Sequence, residues 1–113
     1  MKCILIVLDS VGIGYAPDAA AFGDEGAATL PHTARAVGGL HLPTLQALGL
    51  GNISTLASQA DIQGVPPAIE PRAAFGLMQP VSEGKDTITC HWELAGIEMN
   101  PGFALFPPGP PSF

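Results

Sequence analysis

Positive charge is scarce in this sequence: four lysines and arginines stand against ten aspartates and glutamates, for a formal charge of −6. Such a field repels nucleic acid phosphates and anionic membrane surfaces, so neither is expected as a partner. Cysteine is scarcer still. Cys3 and Cys90 form no CxxC pair and offer neither a zinc ribbon nor a disulfide framework, which leaves reduced thiols in a cytoplasmic protein as the simplest expectation. Long apolar runs are also missing. The run from Cys3 stops at Asp9 after six residues, too short for the hydrophobic region of an export signal. Nothing else approaches the roughly 18 apolar residues that a membrane span needs.

What is present suits a folded chain. An apolar fraction of 47% is ordinary for globular proteins, and 14 Gly with 12 Pro, lacking a period, do not mark the whole chain as disordered. A length of 113 residues fits one small domain or a piece of something larger. No internal repeat is visible.

The run Cys3 to Leu8 holds the β-branched Ile4, Ile6 and Val7 and ends at a glycine-containing turn, as expected of a strand buried on both faces of a parallel sheet. Ala19 to Val37 is Ala-rich and closed by Gly38-Gly39; Pro31 predicts two short helices there, not one. Leu42 to Leu50 predicts a helix with Leu45 and Leu48 on one face, Pro43 in its first turn and Gly49 at its end. The polar stretch Gly51 to Pro71 reads as a loop, and Ala73 to Met78 as a second, weaker strand interrupted by Gly76. From Thr87 to Met99, Ile88, Trp92, Ala95 and Met99 recur at helical spacing and form an apolar stripe. The segment from Pro101 to Phe113 holds five prolines and no charge, which suits a turn-rich linker.

Two glycine motifs are excluded by single positions. Gly12-Ile13-Gly14 is followed by Pro17 where a dinucleotide fingerprint needs its third glycine. Gly84-Lys85 is followed by Asp86, not Ser or Thr, and Gln79 stands where a Walker loop needs glycine.

Asp9 and Thr87 carry the chemistry. Ligands of open α/β sheets bind outside the carboxyl ends of strands, and Asp9 directly follows the first candidate strand. Thr87 opens the last helix, where unpaired N–H groups and the positive dipole end favour a phosphate. A threonine hydroxyl is a poor nucleophile near neutral pH, so it needs a base or a metal ion to activate it. Hard ions such as Mg²⁺ and Mn²⁺ take carboxylate oxygen, yet Asp9 and Thr87 alone cannot hold two of them, and only His32, His41 and His91 are present besides unclustered carboxylates. Each residue also has a plainer reading when taken singly. Asp9 suits a turn, Thr87 a helix start, His91 a structural hydrogen bond, Trp92 the core and Lys85 a solvated charge.

Taken together, LDSVGIG, PDAAAFGDEGAATLPH and GKDTITCHWELAG resemble the phosphopentomutase family of the alkaline phosphatase superfamily, over nearly the whole chain. The resemblance implies an isomerase that interconverts ribose or deoxyribose 1-phosphate and 5-phosphate. In it Thr87 would be the phosphorylated nucleophile and Asp9 a metal ligand beside Thr87, with Lys85, Gly84 and His91 near the phosphate or substrate. Two Mn²⁺ ions are the expected cofactor, with Mg²⁺ or another divalent ion as substitutes, and a sugar bisphosphate the activator. The implied fold class is α/β: the N-terminal part of an alkaline-phosphatase-like core with a mainly parallel sheet flanked by helices. Residues 1–100 would belong to that core and 101–113 would lead towards a cap domain. The remaining metal ligands and the cap would then lie in a missing C-terminal part of the same protein, and the 113 residues alone are expected to be inactive. Cys90 departs from the family motif, which has glycine there. A phosphoglycerate-mutase-like enzyme is disfavoured by the GKDT and HWE residues, and a truncated, non-catalytic interaction protein is the alternative from another class.

Overall fold

The structure is a computed structural model that describes residues 2–57, 61–84 and 86–103. Lys85 and most of the Pro-rich segment, 104–113, lie outside the described residues. The chain divides into two compact units, Met1–Leu77 and Met78–Phe113.

The first unit is built from short helices. Ala19–Phe22 forms a 3-10 turn, followed by α1 (Thr29–Ala36), α2 (Pro43–Leu48), a second 3-10 turn at Leu50–Ile53, and α3 (Ser54–Ala57). Two short helical pieces do occupy the Ala19 to Val37 stretch, but Pro31 is not what separates them. Gly23 and Gly26, both with positive φ, lie in the gap, and Pro31 sits buried in the first turn of α1. Proline is tolerated at that position because first-turn N–H groups have no intrahelical partner to lose. At the other end Gly38 N–H donates to Arg35 C=O and Gly39 N–H to Ala34 C=O, so the predicted glycine stop is a two-bond cap. In α2, Pro43 takes the first helical position and Gly49 the left-handed cap, as the sequence predicts.

The described residues between Gly51 and Pro71 hold more structure than a plain loop. Besides the 3-10 turn and α3, the Asn52 side chain donates to Ala68 C=O at 2.9 Å and accepts from Ala68 N–H at 2.8 Å. That reciprocal pair ties together residues sixteen positions apart with one amide. The same unit holds a small core of Ala34, Ile62 and Val65, packed against Ile13, Leu30, Leu40, Leu42 and Leu50. Gly64 next to this core has φ +86°, and a Cβ there would run into the Leu40 backbone, so only glycine fits without displacing it.

Neither predicted strand is paired. Cys3–Leu8 and Ala73–Met78 carry no strand, and the described residues contain none. The physical reason is that a strand is defined by its neighbours: inter-strand hydrogen bonds and two covered faces need further strands and helices, which local apolar runs cannot supply.

The second unit is organised by α4 (Thr87–Leu94), which begins where the sequence predicts and ends earlier than Met99. Gly96 turns left-handed, its N–H donates to Glu93 C=O and the Ile97 N–H to Trp92 C=O, which closes the helix. The predicted stripe is therefore cut after Trp92, and Ile88 and Trp92 are themselves partly exposed, at 53% and 44%. Trp92 meets Phe103 edge to face with ring centroids 6.3 Å apart. No described helix is long and apolar enough to cross a membrane.

Candidate functional site

Asp9 belongs to the first unit, and Gly84, Thr87 and His91 to the second. Asp9 is exposed, its Oδ1 accepts from the Ser10 N–H at 2.9 Å, and Ser10 adopts φ +59°, so locally Asp9 shapes a turn. The glycines after it are held in place. Leu30 N–H, an unpaired donor of the first turn of α1, donates to Gly12 C=O at 2.9 Å, and Ile13 packs on the core.

Thr87 is exposed at the first position of α4. The N-cap is the preceding residue, Asp86. Its Oδ1 accepts from the Thr89 N–H at 2.9 Å and its Oδ2 from the Thr89 hydroxyl at 2.6 Å. Thr89 is fully buried, so its hydroxyl has no water to turn to and is committed to that carboxylate. The hydroxyl and then the N–H of Thr89 hold the Asp86 carboxyl below its ordinary pKa, since both favour the charged form. The positive end of α4 is thus already met by an internal carboxylate.

Gly84 completes this corner. A Cβ on it would stand 2.6 Å from Thr89 Oγ1 and 3.0 Å from Asp86 Oδ2, so the absence of a side chain is what lets the chain pass the capping pair. One helical turn on, His91 Nδ1 lies 2.7 Å from the Thr87 carbonyl oxygen. A carbonyl only accepts, so Nδ1 carries the proton there and Nε2 is left with its lone pair in the neutral ring.

The loop ahead of α4 is clamped by Glu93. Its Oε1 accepts from Val81 N–H at 2.7 Å and its Oε2 from Ser82 N–H at 2.9 Å. Ser82 is buried, and its hydroxyl accepts from Met99 N–H at 3.0 Å. Cys90 is exposed and lines a cavity of about 250 Å³ together with Met78, Gln79, Pro80, Glu93 and Leu94. Asp86, Thr89 and Glu93 shape this corner, and sequence reasoning passed over them. Asp86 was readable as an acid one residue ahead of a helix; the Glu93 clamp spans eleven and twelve residues and left no local signal.

Among the described residues no group of three or more His, Cys, Asp or Glu side chains gathers into a metal site. Asp9 and Thr87 have the hard oxygen chemistry of Mg²⁺ or Mn²⁺ ligands, but two donors do not complete a site for two ions.

No family model matches the chain. Individual relatives do. It is 52% identical over 111 residues to the phosphopentomutase of Thermotoga petrophila, covering 98% of this chain and 27% of the relative. The phosphopentomutase of Syntrophotalea carbinolica is 53% identical over 110 residues, 97% of this chain and 26% of that protein. That of Thermotoga maritima is 51% identical over 111 residues, with shares of 98% and 27%. The sequence is therefore that of an isomerase family. Over the part that it spans, the chain belongs to the phosphopentomutases, and that part is about a quarter of the length of the curated relatives it matches.

Proposed function

We propose that this sequence supplies the nucleophile-bearing part of a phosphopentomutase that interconverts (deoxy)ribose 1-phosphate and (deoxy)ribose 5-phosphate. The observation that carries the proposal is the 51–53% identity over 97–98% of the chain, with Thr87 exposed at the head of a capped helix. Phosphorylated Thr87 gives its phosphoryl group to the unsubstituted hydroxyl of a pentose phosphate. A P–O bond forms to the sugar as the bond to Thr87 Oγ1 breaks. The resulting sugar bisphosphate then returns its other phosphoryl group to Thr87, the pentose phosphate leaves as its isomer, and the enzyme is ready again. A sugar bisphosphate acts as activator because it loads Thr87 by the second half of the same cycle.

The chain's own residues set the geometry. Asp86 and buried Thr89 fix the first turn of α4, Glu93 fixes the loop before it, and Gly84 permits their close approach. An ionised Asp86 beside a phosphorylated Thr87 brings two anions together, and such a pair needs positive charge nearby. Two divalent ions, Mn²⁺ or its substitutes, are the proposed source, with Asp9 as one ligand and further ligands from the rest of an alkaline-phosphatase-like α/β core. Lys85, Gly84 and His91 are the proposed phosphate and substrate contacts. The proposed location is the cytoplasm.

The test is covalent. The matching segment of the Thermotoga maritima relative is replaced by this chain, and the chimera is assayed with Mn²⁺ and a sugar bisphosphate. Conversion of ribose 1-phosphate that is lost in Thr87→Ala supports the reading. A folded chimera whose conversion survives Thr87→Ala, or which acts on 3-phosphoglycerate instead of pentose phosphates, overturns it.

A further inference from the structure

Glycine serves either where the backbone turns left-handed or where another group comes close to its α-carbon. In the second unit Gly96 is of the first kind, with φ +86°, whereas Gly84 and Gly102 have no positive φ. Contact is what their places demand. A Cβ on Gly102 would stand 2.7 Å from both Cα and N of Gly84, and 3.3 Å from the Glu83 carbonyl carbon. Two stretches of main chain therefore meet at a spacing that a side chain would force apart. Gly84 is itself buried against the pair that caps α4, where a Cβ on it would also lie 3.0 Å from Thr89 Cγ2.

The segment that carries Gly102 is fastened to the same loop on both sides of that contact. Met99 N–H donates to the Ser82 hydroxyl at 3.0 Å, and Met99 C=O accepts from the Glu83 N–H at 3.3 Å. Past Gly102, Phe103 rests edge to face on Trp92 of α4. Residues 99–103 thus hold the loop that leads into Thr87, although Pro101 to Phe103 read by composition as linker. Bulk at position 102 would meet backbone, with no flexible side chain to swing aside, so Gly84 would have to move. Gly84 stands three residues before Thr87 and touches Asp86 and Thr89, whose hydrogen bonds define the first turn of α4. A shift there is passed to Thr87, and a misplacement of about 1 Å can cost on the order of 100-fold in rate.

We propose that residues 99–102 form a positioning strap for the nucleophile: the contact of Gly102 with Gly84 sets where the Thr87 hydroxyl stands, and so the rate of phosphoryl transfer. Gly102 acts through Gly84 and needs no contact with substrate. This inference rests on the phosphopentomutase reading and adds to it a residue fifteen positions beyond Thr87.

The test uses the chimera of this chain with the Thermotoga maritima relative, supplied with Mn²⁺ and a sugar bisphosphate. Gly102→Ala is expected to lower kcat for ribose 1-phosphate on the order of 100-fold, with KM within about twofold of the parent. Phosphorylation of Thr87 by the bisphosphate should slow by the same factor in a single turnover. Amide exchange of Cys90, whose N–H donates to Asp86 C=O, should be unchanged, since the helix persists. Ser82→Ala removes the acceptor of the Met99 N–H and adds no bulk; it is expected to lower kcat on the order of 5-fold, again at constant KM. The strap is overturned when Gly102→Ala turns over at the parent rate, or when its KM rises and kcat does not fall. If Gly102→Ala loses protection at Cys90, Ser82→Ala decides: a lowered kcat supports the strap and an unchanged one overturns it. A chimera that converts pentose phosphates and is indifferent to both substitutions keeps the phosphopentomutase reading and removes the strap. A folded chimera that converts none removes the reading, and the strap with it.

Discussion

The two units of this chain are held by different forces. In the first, Ala34, Ile62 and Val65 form a small apolar core, and glycines allow backbones to pass beside it. In the second, the buried residues at the helix start are polar: Ser82 and Thr89 are 4% and 0% exposed, and carboxylates of Asp86 and Glu93 gather the loop and the helix. A core stabilised by packing answers to volume and is indifferent to moderate acid; a corner stabilised by charge-assisted hydrogen bonds answers to pH. The residues proposed for chemistry in the second unit thus stand on polar supports, which can be tuned without repacking a core.

The sharpest way to break this comparison is Gly64→Val. A branched side chain at φ +86° against the Leu40 backbone is expected to prevent the first unit from folding, at a cost on the order of 3 kcal/mol or more, read as lost amide protection around Ile62 and Val65. Protection in α4 should be unchanged. Next, Ile62→Ala should destabilise the first unit by about 2–5 kcal/mol, towards the lower end because the core is small, measured by denaturant titration of the same amides. In the second unit Glu93→Ala leaves Val81 and Ser82 N–H groups without their carboxylate, for an expected loss of about 1.5–3 kcal/mol confined to residues 81–94.

The smallest effect is the pH response. Asp86 has a folded pKa below its unfolded value of 3.8, so the folded state binds fewer protons in this range. Its contribution is therefore present above pH 3.8 and is lost as the pH falls through the lower folded value. Protection of α4 should fall in that window, and Asp86→Asn should remove this component of the fall. An equal acid loss in the first unit would erase the contrast between the two.

What was legible in the sequence was local. Gly38-Gly39, Pro43 with Gly49, and the start of α4 at Thr87 are set by residues within one turn of the feature they control. The length of α4 was misread because Ala95 and Met99 continue the apolar spacing past Gly96, whose left-handed backbone ends the helix whatever the pattern beyond it. Pro31 was misread as a break because a first-turn proline and an interior one look alike until the helix start is known. The strand expectation at Cys3–Leu8 failed because its apolar pattern is local, whereas a strand also needs hydrogen-bonded neighbours, and the described residues contain none. In the site, Thr87 and Gly84 were picked out by the GKDT stretch, whereas Glu93 reaches residues that only folding brings within 3 Å.

The central claim is that Thr87 carries the phosphoryl group. The direct measurement is mass spectrometry of peptides from the chimera after incubation with Mn²⁺ and a sugar bisphosphate, followed by addition of ribose 5-phosphate. With an isotope-labelled phosphoryl group supplied by the bisphosphate, the account predicts one phosphoryl group, located on Thr87, whose label is replaced by the unlabelled phosphoryl group of ribose 5-phosphate during turnover. A phosphoryl group on Thr89 or Ser82, or one on Thr87 whose label is retained while ribose 5-phosphate is converted, would contradict it.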